Sequence, residues 1–197
     1  MDHYYSKNPN ANHQPHTITQ NIKGTTFQFH TDAGVFSKRS VDFGSVLLME
    51  EIVLHNVSRI CDVGCGYGPI GLFIAKHAEK SHVYMVDINE RAVGLAKQNA
   101  TLNHIHNVTI TQSDKFQHIE ETDFDLVVSN PPVRAGKETV HSIFSQAHER
   151  LKPLGQLWIV IQKKQGAASA KKKLDSLFSN VELMKRSRGY HIYKATK

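Results

Sequence analysis

The sequence predicts an α/β fold, a mainly parallel sheet with helices on both faces. Three observations predict it. From Arg59 onward, short apolar runs alternate with amphipathic stretches long enough to be crossover helices. Residues 124–128, Phe-Asp-Leu-Val-Val, are apolar but for Asp125, the pattern of a strand buried on both faces. Finally, glycines, prolines and acids gather where these runs stop, and open parallel sheets bind ligands at the carboxyl ends of their strands.

Residues 1–16 are polar, with Pro9 and Pro15, and predict a flexible N-terminus; 17–197 predict a single domain. Ile18, Ile22, Phe27 and Phe29 alternate with polar residues around Lys23-Gly24, which predicts a hairpin over 17–30. Asp32-Ala33-Gly34 reads as a turn, and a helix is expected over 42–55 with Val46, Leu47, Met49 and Val53 facing inward. Strands follow at 60–63, 82–86, 108–112, 124–128 and 156–161. Helices are expected at 69–77, 90–102, 139–151 and 167–178, and closing strands at 181–185 and 190–194. The hairpin and first helix are an extension on the sheet.

The chain has 197 residues, 40% apolar and 21% charged, enough for one substantial core. No segment is long and apolar enough to span a bilayer, and the start lacks a basic region followed by an apolar one. A cytoplasmic protein without membrane partners is expected. Cys61 and Cys65 are too close to form a useful staple, which suits a reducing compartment. Thirteen histidines scatter singly except at His104-Ile105-His106, and without a cysteine or carboxylate cluster no metal site is expected. The net charge of +6 is unevenly spread. Residues 151–197 hold 11 Lys and Arg against 2 Asp and Glu. This segment, with Lys163-Lys164, Lys171-Lys172-Lys173, Lys185-Arg186 and Arg188, suits either a phosphate backbone or a solvated face.

After the first strand of the alternating region comes Asp62-Val63-Gly64-Cys65-Gly66-Tyr67-Gly68-Pro69-Ile70-Gly71. Gly66-x-Gly68-x-x-Gly71 matches a dinucleotide fingerprint in form. Its chemistry argues otherwise: Pro69 removes a donor from the first helical turn, and Asp62 repels a diphosphate while attracting a cation. Gly64 and Gly66 let the backbone approach such a ligand. S-adenosylmethionine carries a sulfonium and an ammonium and no phosphate. Asp87, after the second strand, suits the ribose hydroxyls, and Ser113-Asp114, after the third, suits the adenine amine with Ile88 against the ring. Taken singly, each Asp also reads as a turn former or cap; in register beside a glycine loop, the set predicts the donor site.

The run 124–128 ends at Ser129-Asn130-Pro131-Pro132. The prolines stiffen the turn, so that the Asn130 side chain and main-chain carbonyls can grip a planar amine. Asp62-x-Gly64-x-Gly66-x-Gly68, Asp87, Asp114 and Asn130-Pro131-Pro132 together resemble class I methyltransferases. Gly34-Val35-Phe36-Ser37-Lys38, Asp42-Phe43-Gly44-Ser45 and Asn130 through Lys137 resemble the ribosomal RNA small-subunit methyltransferase C-like group, over about residues 17–197. The resemblance implies a seven-stranded sheet with its last strand antiparallel. It also implies S-adenosylmethionine as donor, a guanine exocyclic amine as acceptor, and ribosomal RNA or a small-subunit particle as partner.

Such an amine is a poor nucleophile because its lone pair is delocalised. Asn130 Oδ1 and the Pro131 carbonyl are expected to accept its two N–H bonds, with Pro132 stiffening the turn, so that catalysis rests on positioning. Enzymes with this motif often carry Tyr or Phe next, where this chain has Val133. Phe36, the Arg134 guanidinium or Val133 itself is then the base platform. Arg134, Lys137 and Lys38 are phosphate-contact candidates. Cys65 lies in the donor loop and reads as a packing residue, and Trp158 as core. A protein glutamine methyltransferase and a non-catalytic RNA-binding module are the rival readings.

Overall fold

The computed structural model describes residues 12–197. Strands β1 (His16–Ile22) and β2 (Thr25–Thr31) form an antiparallel hairpin. Helix α1 (Phe43–Glu51) leads to strand β3 (Arg59–Val63), helix α2 (Pro69–His77), strand β4 (His82–Asp87), helix α3 (Glu90–Leu102) and strand β5 (Val108–Gln112). Strand β6 (Phe124–Ser129), helix α4 (Lys137–Arg150), strand β7 (Leu151–Gln162), helix α5 (Ala167–Asp175) and strands β8 (Asn180–Ser187) and β9 (Tyr190–Thr196) complete the chain. The seven-stranded sheet has order β5-β4-β3-β6-β7-β9-β8, parallel except where β9 pairs antiparallel with β7 and β8. It is the mainly parallel, helix-covered sheet with a hairpin and helix extension that the alternating pattern predicts.

Alternation along the strands builds two apolar layers. Ile60, Met85, Leu126, Val128, Trp158 and Val160 face α1, α2 and α3, while Cys61, Val63, Val127, Leu157 and Ile159 face α4 and α5. Trp158 is core, its indole N–H donating to Gln156. The hairpin is clamped to α3 by the buried Asn99. Its Oδ1 accepts from His30 N (2.7 Å), and its Nδ2 donates to His30 O (3.0 Å) and to Tyr67 O in the glycine loop (2.9 Å).

Some boundaries differ from expectation. Asp42 caps α1 from outside it, accepting from Ser45 N at 3.1 Å, and the helix ends at Glu51. Ile52 turns to an extended conformation and is buried, so Val53 points outward and is 58% exposed rather than inward. Strand β7 begins at Leu151 instead of 156, because the irregular stretch before Gln156 still pairs, Leu151 opposite Phe124, around a register shift. Helix α4 starts at Lys137 and α5 stops at Asp175, while β8 and β9 are longer than read. Of the flexible N-terminus called at 1–16, residues 1–11 lie outside the described residues. His13 and the Gln14 amide both hydrogen-bond to Asp32.

Candidate functional site

Sheet register puts the site together. Asp62 pairs with Val128 across β3 and β6, so Gly64 and Asn130 each lie two residues further on, just past the ends of these neighbouring strands. Val63 pairs with Val86, and Asp87 with Gln112. The glycine loop, Asp87-Ile88, Ser113-Asp114 and Asn130 therefore stand side by side at the carboxyl ends of β3, β4, β5 and β6. Chain order reverses between β3 and β6, the switch point where open α/β sheets place a ligand crevice. A cavity of about 570 Å³ opens there, within the usual range for a small-molecule site.

The glycine loop is held by its own backbone. Gly64 N and Cys65 N both donate to Val86 O, and Gly68 N to Cys65 O. Gly64 (φ +77°) and Gly66 (φ +57°) occupy the left-handed region, and a Cβ on either would meet only open space. The strand side of the cavity thus lacks side chains where a ligand would lie against main chain. Gly71 serves packing instead: a Cβ there would fall 2.7 Å from Met85. Cys65 lines the cavity as a buried, free thiol whose pKa is pushed up by burial and by the nearby Asp87 and Asp62 charges. That environment disfavours a thiolate nucleophile.

Three acids were expected here, and the structure separates their surroundings. Asp87 is half-buried at the cavity; Oδ2 accepts from Gly66 N (2.8 Å) and Oδ1 from Asn89 N (2.9 Å). The Ile88 backbone N–H bonds the carboxylate as well, so of its four lone pairs one is left for a ligand hydroxyl. Burial raises its pKa against those hydrogen bonds. Asp114 is exposed at the rim, paired with Lys115 at 2.6 Å, while Ser113 is buried and its Oγ accepts from His118 N. Asp62 does not line the cavity. It is fully buried beneath the loop, Oδ2 accepting from Gly71 N at 2.8 Å and Oδ1 without any partner. Burial raises its pKa to about 7, with the Asp87 charge adding to the rise.

Asn130 has the most specific geometry. Its Nδ2 donates to Asp42 Oδ2 (3.1 Å) and Ser45 Oγ (2.9 Å). With both N–H groups directed at acceptors, the carboxamide oxygen is the atom left for a ligand in the cavity. Tyr190, also at the cavity, approaches Asp42 Oδ1 with its hydroxyl at 3.5 Å. Gly44 is required between these groups, since a Cβ would fall 2.7 Å from the Tyr190 ring and 2.9 Å from Asp42 Oδ2. The turn after Asn130 is tighter than expected. The Pro131 carbonyl accepts from Val133 N (2.8 Å) and the Pro132 carbonyl from Ala135 N (2.8 Å), so one of two lone pairs on the Pro131 oxygen is already used.

Of the acceptor-side candidates, Phe36, Val133 and Arg134 all line the cavity, with Phe36 39% exposed. Lys38 and Lys137 do not: Lys38 Nζ donates to Gln14, and Lys137 is exposed at the start of α4. Sequence reasoning missed Asp42, Ser45 and Tyr190 as site residues. Asp42-x-x-Ser45 carried the signal of a helix start, and Tyr190 carried no local signal at all.

A cation-bearing ligand fits this site better than a dinucleotide. Two carboxylates, one with an orphaned oxygen, surround the bare loop, and Pro69 takes the first helical position. Among the described residues no cluster of three metal-ligating side chains occurs, and no helix is long and apolar enough to cross a membrane.

The pattern describing the methyltransferase small domain matches residues 26–194. The uncharacterized protein YbxB of Bacillus subtilis is 48% identical over 100% of this chain and 98% of its own length. Ribosomal RNA small subunit methyltransferase C of Psychromonas ingrahamii is 31% identical over 89% of the chain, and ribosomal RNA large subunit methyltransferase G of Aeromonas hydrophila 27% over 89%. The chain spans about half of these two relatives, 50% and 47%. Among solved structures, the T. thermophilus 16S rRNA N2 G1207 methyltransferase, in complex with AdoMet and guanosine, superposes with a TM-score of 0.82 at 26% identity. The match covers 93% of this chain and 50% of that one.

Proposed function

The chain belongs to the methyltransferase small domain family, as a class I S-adenosylmethionine-dependent methyltransferase of the small-subunit methyltransferase C-like group, and from that premise we propose that it methylates the exocyclic N2 amine of a guanine in small-subunit ribosomal RNA. The observation that carries this reading is the Asn130 carboxamide, turned by Asp42 and Ser45 so that its oxygen is left to accept.

The bare Gly64 and Gly66 backbone, Asp87, Ile88, Ser113 and Asp114 hold the donor, and Asp62 contributes a buried negative field beneath it. S-adenosylmethionine supplies an electrophilic methyl group when bound. The protein prepares the acceptor. Asn130 Oδ1 takes one amine N–H, and the remaining lone pair of the Pro131 carbonyl takes the other. Held this way, the nitrogen pyramidalises and directs its lone pair away from the ring. Positioning of this kind is worth roughly 7 to 11 kcal/mol, and it needs no strong base, since the amine proton is acidic once the nitrogen is alkylated and leaves to water.

Phe36, the most exposed of the aromatic side chains at the cavity, serves as the stacking platform that Val133 does not supply. Val133 closes the apolar side, and Arg134 and Lys137 face the flanking phosphates. The reaction belongs in the cytoplasm, where ribosomal RNA is made. Incubation with labelled S-adenosylmethionine and, separately, small-subunit rRNA, large-subunit rRNA, assembled subunits and release factors tests the proposal. Label in small-subunit RNA, mapped by mass spectrometry to a guanine N2 that is unmodified in a deletion strain, is the expected result. Label confined to protein would instead establish glutamine methylation, and label in no substrate would favour a binding module.

A further inference from the structure

The cavity accounts for a donor and one base, but not for the unpaired cations beside it. The 3₁₀ turn Lys163–Gln165 follows β7, and Lys163 N donates to Gly189 O at 2.7 Å, fastening that turn to the tip of the β8–β9 hairpin. Gln162, Gln165 and Tyr190 line the cavity, so this junction forms part of its mouth. Exposed Lys163, Lys164, Arg186 and Arg188 surround it. Elsewhere in the same basic segment Lys171, Lys185 and Lys194 are neutralised by Asp175, Glu51 and Glu182, whereas these four make no ion pair among the described residues. Lys163 and Arg186 bear on His191, and Lys137 and Lys173 on His141, in each case adding to the burial that lowers the imidazole pKa. Lys163, Lys164, Arg186 and Arg188 thus form one positive border at the junction of that turn with the β8–β9 hairpin, and Arg134 lines the cavity it opens onto.

Arg188 is held more firmly than an ordinary surface arginine. Arg188-Gly189 is a two-residue loop with both φ angles positive (46° and 81°), closed by the Ser187–Tyr190 pair, as in a type I′ turn, where Asn would be unstrained. Its guanidinium lies 4.8 Å from the centroid of Phe43, whose ring is 5.7 Å from that of Tyr190. Lys23-Gly24 repeats the backbone geometry in the β1–β2 hairpin (48° and 80°). Strain alone therefore assigns no role; the place over Phe43 at the cavity mouth distinguishes Arg188.

Building on the guanine-in-RNA reading, we propose that Lys163, Lys164, Arg186 and Arg188 form a phosphate track. It holds the RNA backbone beside the target nucleotide, so the substrate is a segment extending several nucleotides past the methylated base. Each phosphate contact in single-stranded RNA contributes about 0.7 to the slope of log affinity against log salt.

The test measures KM for small-subunit rRNA from about 50 to 200 mM NaCl in the full chain. Lys163→Ala/Lys164→Ala/Arg186→Ala should lower the salt slope by about 2, with donor affinity by calorimetry unchanged. Arg188→Asn should leave the protein folded with Tm close to wild type, because Asn suits the turn while the contact with Phe43 is lost, and should raise KM. Lys23→Asn should raise Tm, because Asn suits that turn, and leave KM alone, and Lys76→Ala/Lys80→Ala/Lys97→Ala, in α2, the turn after it and α3, should leave the slope alone. An unchanged slope in the triple variant, or a folded Arg188→Asn enzyme at wild-type KM, overturns the track while leaving the guanine reading in place. A wild-type enzyme that labels no RNA removes both.

Discussion

Replacing Asp62 with Asn removes a charge that the fold buries beneath the donor loop. The carboxyl is fully buried, Oδ1 has no partner, and burial carries its pKa from 3.8 to about 7. That rise amounts to about 4 kcal/mol at roughly 1.4 kcal/mol per pH unit. The folded pKa exceeds the unfolded one, so the native state binds more protons between pH 4 and pH 7, and stability from this group falls across that window as pH rises. His141, His148 and His191 act oppositely, since their lowered pKa values favour the neutral form and stability is lost as pH falls. The difference between wild type and Asp62→Asn isolates the carboxyl. In the variant an amide oxygen still accepts from Gly71 N, and any unpaired amide N–H costs about 1 to 3 kcal/mol at every pH. Urea unfolding of the donor-free proteins at pH 4.5 and 8 should show the variant gaining about 3 kcal/mol on the wild type between those values. The same buried charge should make S-adenosylmethionine affinity rise with pH through about 7 in wild type and not in the variant. Parallel pH dependences in two folded proteins would show that Asp62 ionises as if solvated and holds no buried charge to favour a cationic ligand.

Asn130→Ala should reduce methyl transfer by at least 10²-fold with donor affinity by calorimetry close to wild type, as expected when positioning is lost. Asp42→Ala should lose activity in the same direction, and about 1 kcal/mol of stability through the lost helix cap, read by urea unfolding; wild-type kcat in folded Asp42→Ala would mean Asn130 needs no orienting partner. Phe36→Ala should lower kcat/KM for RNA about tenfold to a hundredfold if one base stacks on it, a contact worth roughly 1 to 3 kcal/mol, without changing donor affinity. Gly64→Ala places a Cβ in open space in the protein, so its stability loss should be only about 1 to 2 kcal/mol from the left-handed backbone, while donor affinity falls much further.

The parts that could be read from sequence were those whose cause is local. A strand buried on both faces announces itself as an apolar run, and its carboxyl end is known as soon as the run stops. Parallel order then brings those ends together without further information, which is why Gly64, Asp87, Asp114 and Asn130 were predicted as a group. What escaped prediction was the direction in which a side chain is used. Asp62 has the right position for a ligand contact but lies beneath the loop, where Oδ2 accepts from Gly71 N. Lys38 reads as a phosphate ligand and instead meets Gln14. Asp42 reads as the first residue of a helix and is instead its cap, and its Oδ2 also receives Asn130 from 88 residues away while its Oδ1 faces Tyr190 from 148 away. A cap needs only one lone pair of the carboxylate's four. The spare acceptors are what an incoming strand end can exploit, and no local pattern records whether it does. The lack of an aromatic at Val133 takes its meaning from the same extension: the segment joining the hairpin to α1 brings Asp42 to Asn130 and Phe36 to the cavity, so one stretch of chain both orients the Asn130 amide and sets an aromatic ring beside it.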